Sequence, residues 1–183
     1  MRIISGIYKG RRFEIPPTFK ARPTTDFAKE SLFNILSNYF DFTDSISALD
    51  LFAGTGSISL ELLSRGCDRV VSIEKDPAHY SYINKVIQEI KTTKCMPIRG
   101  DVFKFIDRTK EKFDLIFADP PYTLEQLETI PELIFKNELL KEKGILVLEH
   151  GKKNNFESHS HFLERRVYGS VNFSFFSSEK RSE

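Results

Sequence analysis

An alternation of short apolar runs with helix-length segments constrains the fold of this 183-residue chain more than any other feature. The alternation begins at Ile46 and continues to Leu148. Because strands that are joined by helices lie parallel in one sheet, it predicts an α/β fold built on a parallel sheet. The predicted strands are 48–52, 70–73, 96–98, 113–118 and 145–148, and the predicted helices are 57–65, 77–91, 102–108 and 124–136.

The C-terminal segment departs from this alternation. The extended runs 162–168 and 171–176 flank Gly169 and Ser170, which leaves no room for a crossover helix. Two strands joined by so short a connection pair antiparallel, so we expect a hairpin at one edge of the sheet. The complete expectation is a mostly parallel, seven-stranded sheet that ends in an antiparallel hairpin.

The first 25 residues differ from the rest of the chain in charge. The whole chain carries a formal net charge of +1, whereas this segment contains a single acid, Glu14. Its basic residues are Arg2, Lys9, Arg11, Arg12, Lys20 and Arg22. Extended runs at 2–5 and 12–15, joined across Gly10, predict a small hairpin whose cations can bind phosphate groups.

An amphipathic helix is predicted after this hairpin. Its apolar residues, from Phe27 to Leu36, fall mainly on one helical face, and Thr25 or Asp26 is the expected N-cap. We therefore divide the chain into an N-terminal extension that would contact nucleic acid, residues 1–40, and a main domain, residues 41–183.

Composition argues against several other classes of protein. Hydrophobic and charged fractions of 40% and 29% are those of a globular protein. No apolar run approaches the roughly 20 residues of a membrane span, and the first residues lack the apolar stretch of a signal peptide. We therefore expect a cytoplasmic monomer with no membrane partner. Cys67 and Cys95 lie outside any Cys-x-x-Cys spacing, so no metal is expected.

A glycine turn follows the first predicted strand and opens a helix. Glycines at 54 and 56 let the backbone pass close to a ligand, and the helix N-terminus offers free N–H groups. Dinucleotide sites use a similar turn, but Ser59 stands where their fingerprint has a third glycine. Asp50 could instead face the methionine amino group of S-adenosylmethionine. The predicted cofactor contacts from this segment are Asp50, Phe52, Gly54 and Gly56.

Acidic residues follow the next two predicted strands. Glu74, beside Lys75, lies where a carboxylate can accept hydrogen bonds from both ribose hydroxyls. Asp101 can accept from an adenine amino group, and the backbone N–H of Val102 can contact the ring. Because the carboxyl ends of parallel strands meet at one edge of a sheet, these residues and the glycine turn would form a single crevice.

The sequence Asp119-Pro120-Pro121-Tyr122 follows the fourth predicted strand and indicates the reaction. An exocyclic base amine is a poor nucleophile because its lone pair is delocalised into the ring. The Asp119 carboxylate and the Pro120 carbonyl can each accept one amine N–H and so direct the nitrogen lone pair at the sulfonium methyl. Asp119 is also a predicted contact of the cofactor. Pro120 and Pro121 restrict the backbone, and Tyr122 can stack on the target base.

The assembled motifs resemble the bacterial 16S ribosomal RNA guanine-N2 methyltransferases of the RsmD family, and the likeness spans almost the whole chain. The segments that carry it are 2–6, 9–11, 22–26, 29–30, 32–36, 50–56 and 119–122. The last segment is shared with amino-methyltransferases of DNA, so the N-terminal segments distinguish the family. Many members carry arginine where this chain has Phe27.

The resemblance implies a substrate and further contacts. The substrate would be a guanine of 16S ribosomal RNA, presented in an assembling 30S subunit, and the products would be its N2-methyl derivative and S-adenosylhomocysteine. Thr24 and Thr25 would lie near the cofactor, and the basic hairpin would hold RNA. The RNA contacts would come from Arg2, Lys9, Arg11, Arg12 and Arg22.

Three alternatives remain open at this point. A DNA adenine-N6 methyltransferase would use the same chemistry on another nucleic acid. A non-catalytic RNA-binding assembly module would keep the fold, although the intact Asp119 and Tyr122 argue against it. An NAD-dependent dehydrogenase would use the glycine turn, and Ser59 and the terminal hairpin argue against that function.

Overall fold

A seven-stranded sheet with helices on both faces organises the structure, a computed structural model that describes residues 1–19 and 25–179. The helices are α1 Asp26–Leu36, α2 Ser57–Arg65, α3 Pro77–Ile90, α4 Val102–Arg108 and α5 Ile130–Lys136, with a 3₁₀ turn at Leu127–Thr129. The strands are β1 Ser47–Leu51, β2 Arg69–Glu74, β3 Cys95–Arg99, β4 Phe113–Ala118, β5 Leu140–His150, β6 Phe162–Tyr168 and β7 Val171–Ser177.

The strand order β3-β2-β1-β4-β5-β7-β6 confirms the predicted class of fold. Strands β1 to β5 pair with one another in parallel, and β7 pairs antiparallel with both β5 and β6. The C-terminal hairpin therefore lies at one edge, with β7 inserted beside β5. Helices α1, α2 and α3 cover one face of the sheet, and α4 and α5 cover the other.

Two predicted boundaries were wrong. The helix expected over 124–136 begins only at Ile130, after the 3₁₀ turn. Pro131 explains the late start, because its ring is tolerated in the first helical turn but would clash with the preceding turn of a longer helix. Strand β5 is longer than the predicted 145–148, since it begins at Leu140 and continues through an irregular, exposed charged segment at 141–143.

The N-terminal hairpin is present but has only one antiparallel bridge, between Arg2 and Arg12. The Ile3 N–H donates to the Arg11 carbonyl at 3.0 Å, and the Gly10 N–H donates to the Ile3 carbonyl at 2.9 Å. The intervening backbone bonds to α2 instead of continuing the ladder. For example, the Ile7 N–H donates to the Ser64 carbonyl at 2.7 Å. The hairpin is thus attached to the helix that follows the glycine turn.

A buried ion pair strengthens this attachment. Glu61, on α2, is fully buried and accepts the N–H groups of Ile4 and Ser5 at 2.8 and 3.0 Å. Lys29, on α1, is 1% exposed, and its Nζ lies 3.8 Å from the Glu61 carboxylate. The same ammonium donates to the Arg2 carbonyl at 2.6 Å and to Ser57 Oγ at 3.1 Å. One cation therefore links the hairpin, α1 and the start of α2.

We predict that Lys29→Met lowers the free energy of unfolding by about 2 kcal/mol, because the Arg2 carbonyl loses its donor and the buried Glu61 keeps only the Arg65 guanidinium, at 2.9 Å, as a cationic partner. Urea denaturation would measure the change. Lys112→Met is the matched control, since Lys112 pairs with Glu138 at the surface and its loss should change stability little. Equal stabilities of the two variants would contradict the structural role of Lys29.

Candidate active site

The carboxyl ends of three neighbouring strands bring the predicted motifs together. Leu51, the last residue of β1, lies opposite Ile73 of β2 and Ala118 of β4. The segments that follow these residues begin with Phe52, Glu74 and Asp119. The glycine turn and the Asp119 loop consequently open at the same edge of the sheet, as the sequence predicted.

The glycine turn has the backbone conformation that its sequence requires. Gly54 and Gly56 adopt φ values of 55° and 75°, and Phe52 has a φ of 62°. Gly56 is the N-cap of α2 and supplies no side-chain cap, so the first helical N–H groups face the turn. A Cβ on Gly56 would lie 3.0 Å from Ile83 Cγ1. The turn therefore needs glycine both for its conformation and for its packing.

Glu74 connects the ends of β1 and β2. Its Oε2 accepts the Gly54 N–H and its Oε1 accepts the Asp76 N–H, each at 2.7 Å. An ionised carboxylate has about four acceptor positions, so each oxygen retains capacity for another donor. The side chain is 9% exposed. Glu74 thus fixes the glycine turn and remains able to accept hydroxyl groups of a ribose.

Asp101 and Lys75 lie together at the next strand end. Asp101 N-caps α4 by accepting the Phe103 and Lys104 N–H groups at 3.1 and 3.2 Å. Its other oxygen lies 3.3 Å from the largely exposed Lys75 ammonium. Burial acts to raise the pKa of Asp101, but these hydrogen bonds and the Lys75 charge outweigh it and lower the pKa. Val102, at the first helical position, is buried.

Asp50 is directed into the protein, toward α2. It is 1% exposed, and its Oδ2 accepts both the N–H of Ser59 at 3.0 Å and the Ser59 hydroxyl at 2.5 Å. Burial raises the pKa of Asp50 to about 7, although the two Ser59 hydrogen bonds act in the opposite direction. Sequence reasoning gave Ser59 only a negative role, as a missing glycine. In the structure it is the partner of Asp50.

Asp119 is affected by two nearby carboxylates. Its backbone N–H donates to the Leu51 carbonyl at 3.3 Å, which ties the loop after β4 to the end of β1. Burial raises the pKa of Asp119 well above its ordinary value, and the negative charges of Glu149 and Asp50 raise it further. Pro120 is buried and Pro121 is exposed. The site therefore presents a carboxyl group with an unusually strong affinity for a proton or a cation.

Tyr122 presents an aromatic ring beside this carboxyl group. The ring is 45% exposed, and its hydroxyl donates to Glu149 Oε1 at 3.0 Å. A Cβ added to Gly151 would lie 3.3 Å from Tyr122 Cδ2, so the ring packs on glycine backbone. Sequence reasoning missed Glu149. The available signal was an acid near the end of the buried strand β5, between Leu148 and His150.

A cleft of about 670 Å³ joins the N-terminal extension to the glycine turn. The turn contributes Thr55 and Ser57, α1 and its cap contribute Thr25, Asp26 and Lys29, and the hairpin region supplies the rest of the wall. The remaining lining residues are Met1, Arg2, Arg12, Phe13, Glu14 and Ile15. Thr25 N-caps α1 by accepting the Ala28 N–H at 3.2 Å. Thr24 and Arg22 lie outside the described residues.

The hairpin cations differ in their surroundings. Arg2 is ion-paired with Asp26, with 2.9 Å between Nε and Oδ2. Arg11 lies 3.6 Å from Glu89 and packs over the rings of Tyr8 and Phe13. Lys9 and Arg12 are exposed. These four side chains do lie on one small element, as predicted.

The described residues contain neither a cluster of metal ligands nor a membrane-spanning helix. No three His, Cys, Asp or Glu side chains among residues 1–19 and 25–179 are grouped so that they could hold a metal ion. Within the same residues, no helix has the length and apolar character needed to cross a membrane.

The fold and the site define a Rossmann-like class I methyltransferase architecture. A solved hypothetical protein from Thermus thermophilus superposes with a TM-score of 0.84 and 27% identity, covering 96% of this chain and 98% of that one. An RNA methyltransferase from Salinibacter ruber, solved with S-adenosyl-L-homocysteine, gives a TM-score of 0.67 over 88% of this chain and 97% of its own. At 15% identity the second likeness concerns the fold alone.

Sequence similarity identifies the family. The family model described as Conserved hypothetical protein 95 matches residues 1–177. The Escherichia coli protein named ribosomal RNA small subunit methyltransferase D is 30% identical over 154 residues, 84% of this chain and 76% of its own length. Its namesake from Buchnera aphidicola is 31% identical over 149 residues, 81% and 75% of the two chains. The chain therefore belongs to the RsmD family, and the resemblance seen in the sequence is confirmed.

We predict that the stability of the ligand-free protein falls by about 2 kcal/mol between pH 5 and pH 8 through Asp50. The folded pKa of about 7 exceeds the ordinary value of 3.8, so the folded state retains a proton that the unfolded state has lost. Stability is therefore lost as pH rises through this window. Urea denaturation of the wild type and Asp50→Asn would measure it. The raised pKa of Asp119 makes stability fall with rising pH in both proteins. Equal pH dependences of stability in the wild type and Asp50→Asn would therefore refute the assignment to Asp50.

Proposed function

We propose that this protein transfers a methyl group from S-adenosylmethionine to the exocyclic N2 amine of a guanine in 16S ribosomal RNA, leaving S-adenosylhomocysteine. The observation that carries the proposal is the position of the Asp119 loop. It follows β4 immediately beside the glycine turn that follows β1. An amine acceptor and a cofactor turn therefore share one edge of the sheet.

The residues present fit this cofactor. Glu74 retains acceptor capacity for the ribose hydroxyls after fixing Gly54 and Asp76. The bare N-cap at Gly56 leaves helical N–H groups toward the turn, and Thr25 and Thr55 line the adjoining cleft. Asp101 and Val102 lie where the adenine would pass. When bound, S-adenosylmethionine supplies an electrophilic methyl group on a sulfonium.

Asp119 and Pro120 would orient the nucleophile. The carboxylate and the carbonyl each accept one N–H of the amine, which favours a pyramidal nitrogen with its lone pair directed at the methyl carbon. The N–C bond forms as the S–C bond breaks, and the nitrogen must then release a proton. The Asp119 carboxylate, which accepts one amine N–H, would receive that proton, and burial raises its pKa and so its affinity for a proton.

Tyr122 and Glu149 would hold the target base. The exposed ring of Tyr122 can stack on a guanine that has left its helix or loop, and such stacking is worth roughly 1 to 3 kcal/mol. The hydrogen bond from the Tyr122 hydroxyl to Glu149 limits rotation of that ring. The stacking energy partly offsets the cost of extruding the base, which is about a few kcal/mol.

The N-terminal extension, residues 1–40, would bind the RNA around that base, and residues 41–183 would form the methyltransferase domain. The exposed Lys9 and Arg12 offer phosphate contacts, and the cleft leads from Arg2 and Arg12 to Ser57 at the glycine turn. In this proposal the protein acts as a cytoplasmic monomer on an assembling 30S subunit.

We predict that Asp119→Ala reduces methyl transfer at least about 100-fold while S-adenosylmethionine still binds, since the loss concerns amine orientation. Asp119→Asn should retain more activity than the alanine variant because its amide oxygen still accepts one N–H. Transfer of labelled methyl to immature 30S particles and calorimetric cofactor titration would measure both effects. Unchanged turnover in Asp119→Ala would overturn the assigned role.

The product distinguishes the proposed reaction from its rivals. Nucleoside mass spectrometry of treated 16S RNA should show N2-methylguanine. Methylation of DNA alone would indicate an adenine-N6 enzyme, and binding to 30S particles with no transfer would indicate an assembly module. Either result would refute the proposed function.

We predict that replacing both Lys9 and Arg12 with glutamine weakens RNA binding and lowers the slope of log affinity against log salt by about 1.5, because each phosphate contact contributes about 0.7 to 0.9. The control replaces two exposed lysines far from the hairpin with glutamine. Lys112 directly precedes β4, at the end of that strand opposite Asp119, and Lys143 lies in the irregular start of β5. Fluorescence anisotropy at several salt concentrations would measure the slopes. The same slope in wild type and hairpin variant would show that these cations do not contact phosphate.

A further inference from the structure

An aromatic pair lies at the same edge of the sheet as the Asp119 loop. Phe27, on the first turn of α1, is 69% exposed, and its ring meets that of Tyr168 edge-on, with centroids 6.0 Å apart and planes at 79°. Tyr168 is the last residue of β6, and its ring packs against the buried ring of Phe173, with 6.1 Å between the centroids. Val167, beside it, is 53% exposed. The pair is thus supported on one side and open to solvent on the other.

The sheet register places this pair near the candidate active site. Tyr168 lies opposite Val171, and the next residue, Asn172, lies opposite His150 at the end of β5. The residue after His150 is Gly151, on which the Tyr122 ring packs. Tyr122 and Tyr168 are therefore connected through the ends of two paired strands.

The first turn of α1 crosses the intervening strands. Lys29 reaches Ser57 at the start of α2, which follows β1, whereas Phe27 reaches Tyr168 at the turn between β6 and β7. Strands β4 and β5 lie between these two points in the sheet. Asp119 follows β4 and Glu149 is near the end of β5, so Phe27 and Tyr168 lie beyond β5 at the same edge of the sheet as Asp119.

Two arginines belong to the segments that carry the pair or are paired with them. Arg2 is ion-paired with Asp26, the neighbour of Phe27 in the chain, and is about half exposed. Arg166, two residues before Tyr168 on β6, is paired with Glu164 and is also about half exposed. A guanidinium has five N–H donors, so one carboxylate does not exhaust either arginine. Accessible rings with partly exposed guanidinium groups nearby in the chain are a combination that binds single-stranded nucleic acid.

We propose that Phe27 and Tyr168 form a second stacking surface, distinct from Tyr122, for an unpaired RNA base next to the target guanine. This inference rests on the proposed function, because it assumes an RNA substrate. The occupant is a nucleobase, since the exposed face of the pair is aromatic and lies at the same edge of the sheet as Asp119, on the other side of β4 and β5 from the basic hairpin. A base held there fixes the strand on one side of the extruded nucleotide and so helps to position the target amine.

A tryptophan reporter tests the contact directly. The chain contains no tryptophan, so Phe27→Trp introduces a single fluorophore at the proposed surface. A single-stranded decamer of adenylate should quench its fluorescence. A decamer of abasic ribose phosphate, which keeps the charges but has no bases, should bind the hairpin without quenching. Equal quenching by both oligomers would overturn the proposal.

Binding measurements separate stacking from charge. Phe27→Leu should weaken decaadenylate binding about 5- to 100-fold with an unchanged salt slope, because stacking involves no phosphate. Phe27→Trp should bind as tightly as the wild type. Met96→Ala, which removes a 43% exposed apolar side chain on β3, is the matched control and should change nothing. Wild-type affinity in both Phe27→Leu and Tyr168→Leu would overturn the proposal.

Assays on immature 30S particles distinguish this inference from the function on which it rests. If the wild type methylates the particles and Phe27→Leu raises the KM for particles while the KM for S-adenosylmethionine stays constant, both stand. If the variant weakens particle binding but leaves decaadenylate binding intact, the surface contacts a ribosomal protein and the inference fails. If the wild type transfers no methyl group to the particles, the proposed function fails whatever the oligonucleotides show.

Discussion

The parallel pairing of β1 with β2 and β4 determines where the candidate site residues lie. Leu51 is opposite Ile73 and Ala118, so the three segments that follow these strands leave the sheet side by side. A shift of one residue in either register would turn the buried side chains of that strand to the other face. The Asp119 amide also bonds to the Leu51 carbonyl, which fixes the Asp119 loop relative to the glycine turn.

Around this junction the chain collects buried negative charge. Burial raises the pKa of Asp119, and repulsion from Glu149 and from Asp50 raises it further. Such an arrangement disfavours the ligand-free protein at neutral pH, because like charges in a low dielectric repel strongly. A cationic sulfonium and the hydrogen-bonding amine of a guanine would relieve part of that cost. The electrostatics of the free site thus match the proposed pair of ligands.

Local sequence signals predicted the fold and the positions of the site motifs. Periodic apolar runs and glycines marked the strands, four of the helices and the glycine turn, and Asp119 to Tyr122 lie where β4 ends. Contacts between distant segments were not predictable in the same way. Lys29 is buried although lysine is ordinarily exposed, and its partner Glu61 lies on another helix. Ser59 and Glu149 acquire their roles only when strands and helices pack.

The account depends most on the cofactor lying over the glycine turn with its methyl group toward Asp119. A structure of the protein with S-adenosylhomocysteine would test this most directly. We expect the ribose hydroxyls to bond to Glu74 and the sulfur to face the Asp119 loop. A ligand bound in another cleft, or one whose sulfur points away from Asp119, would contradict the account.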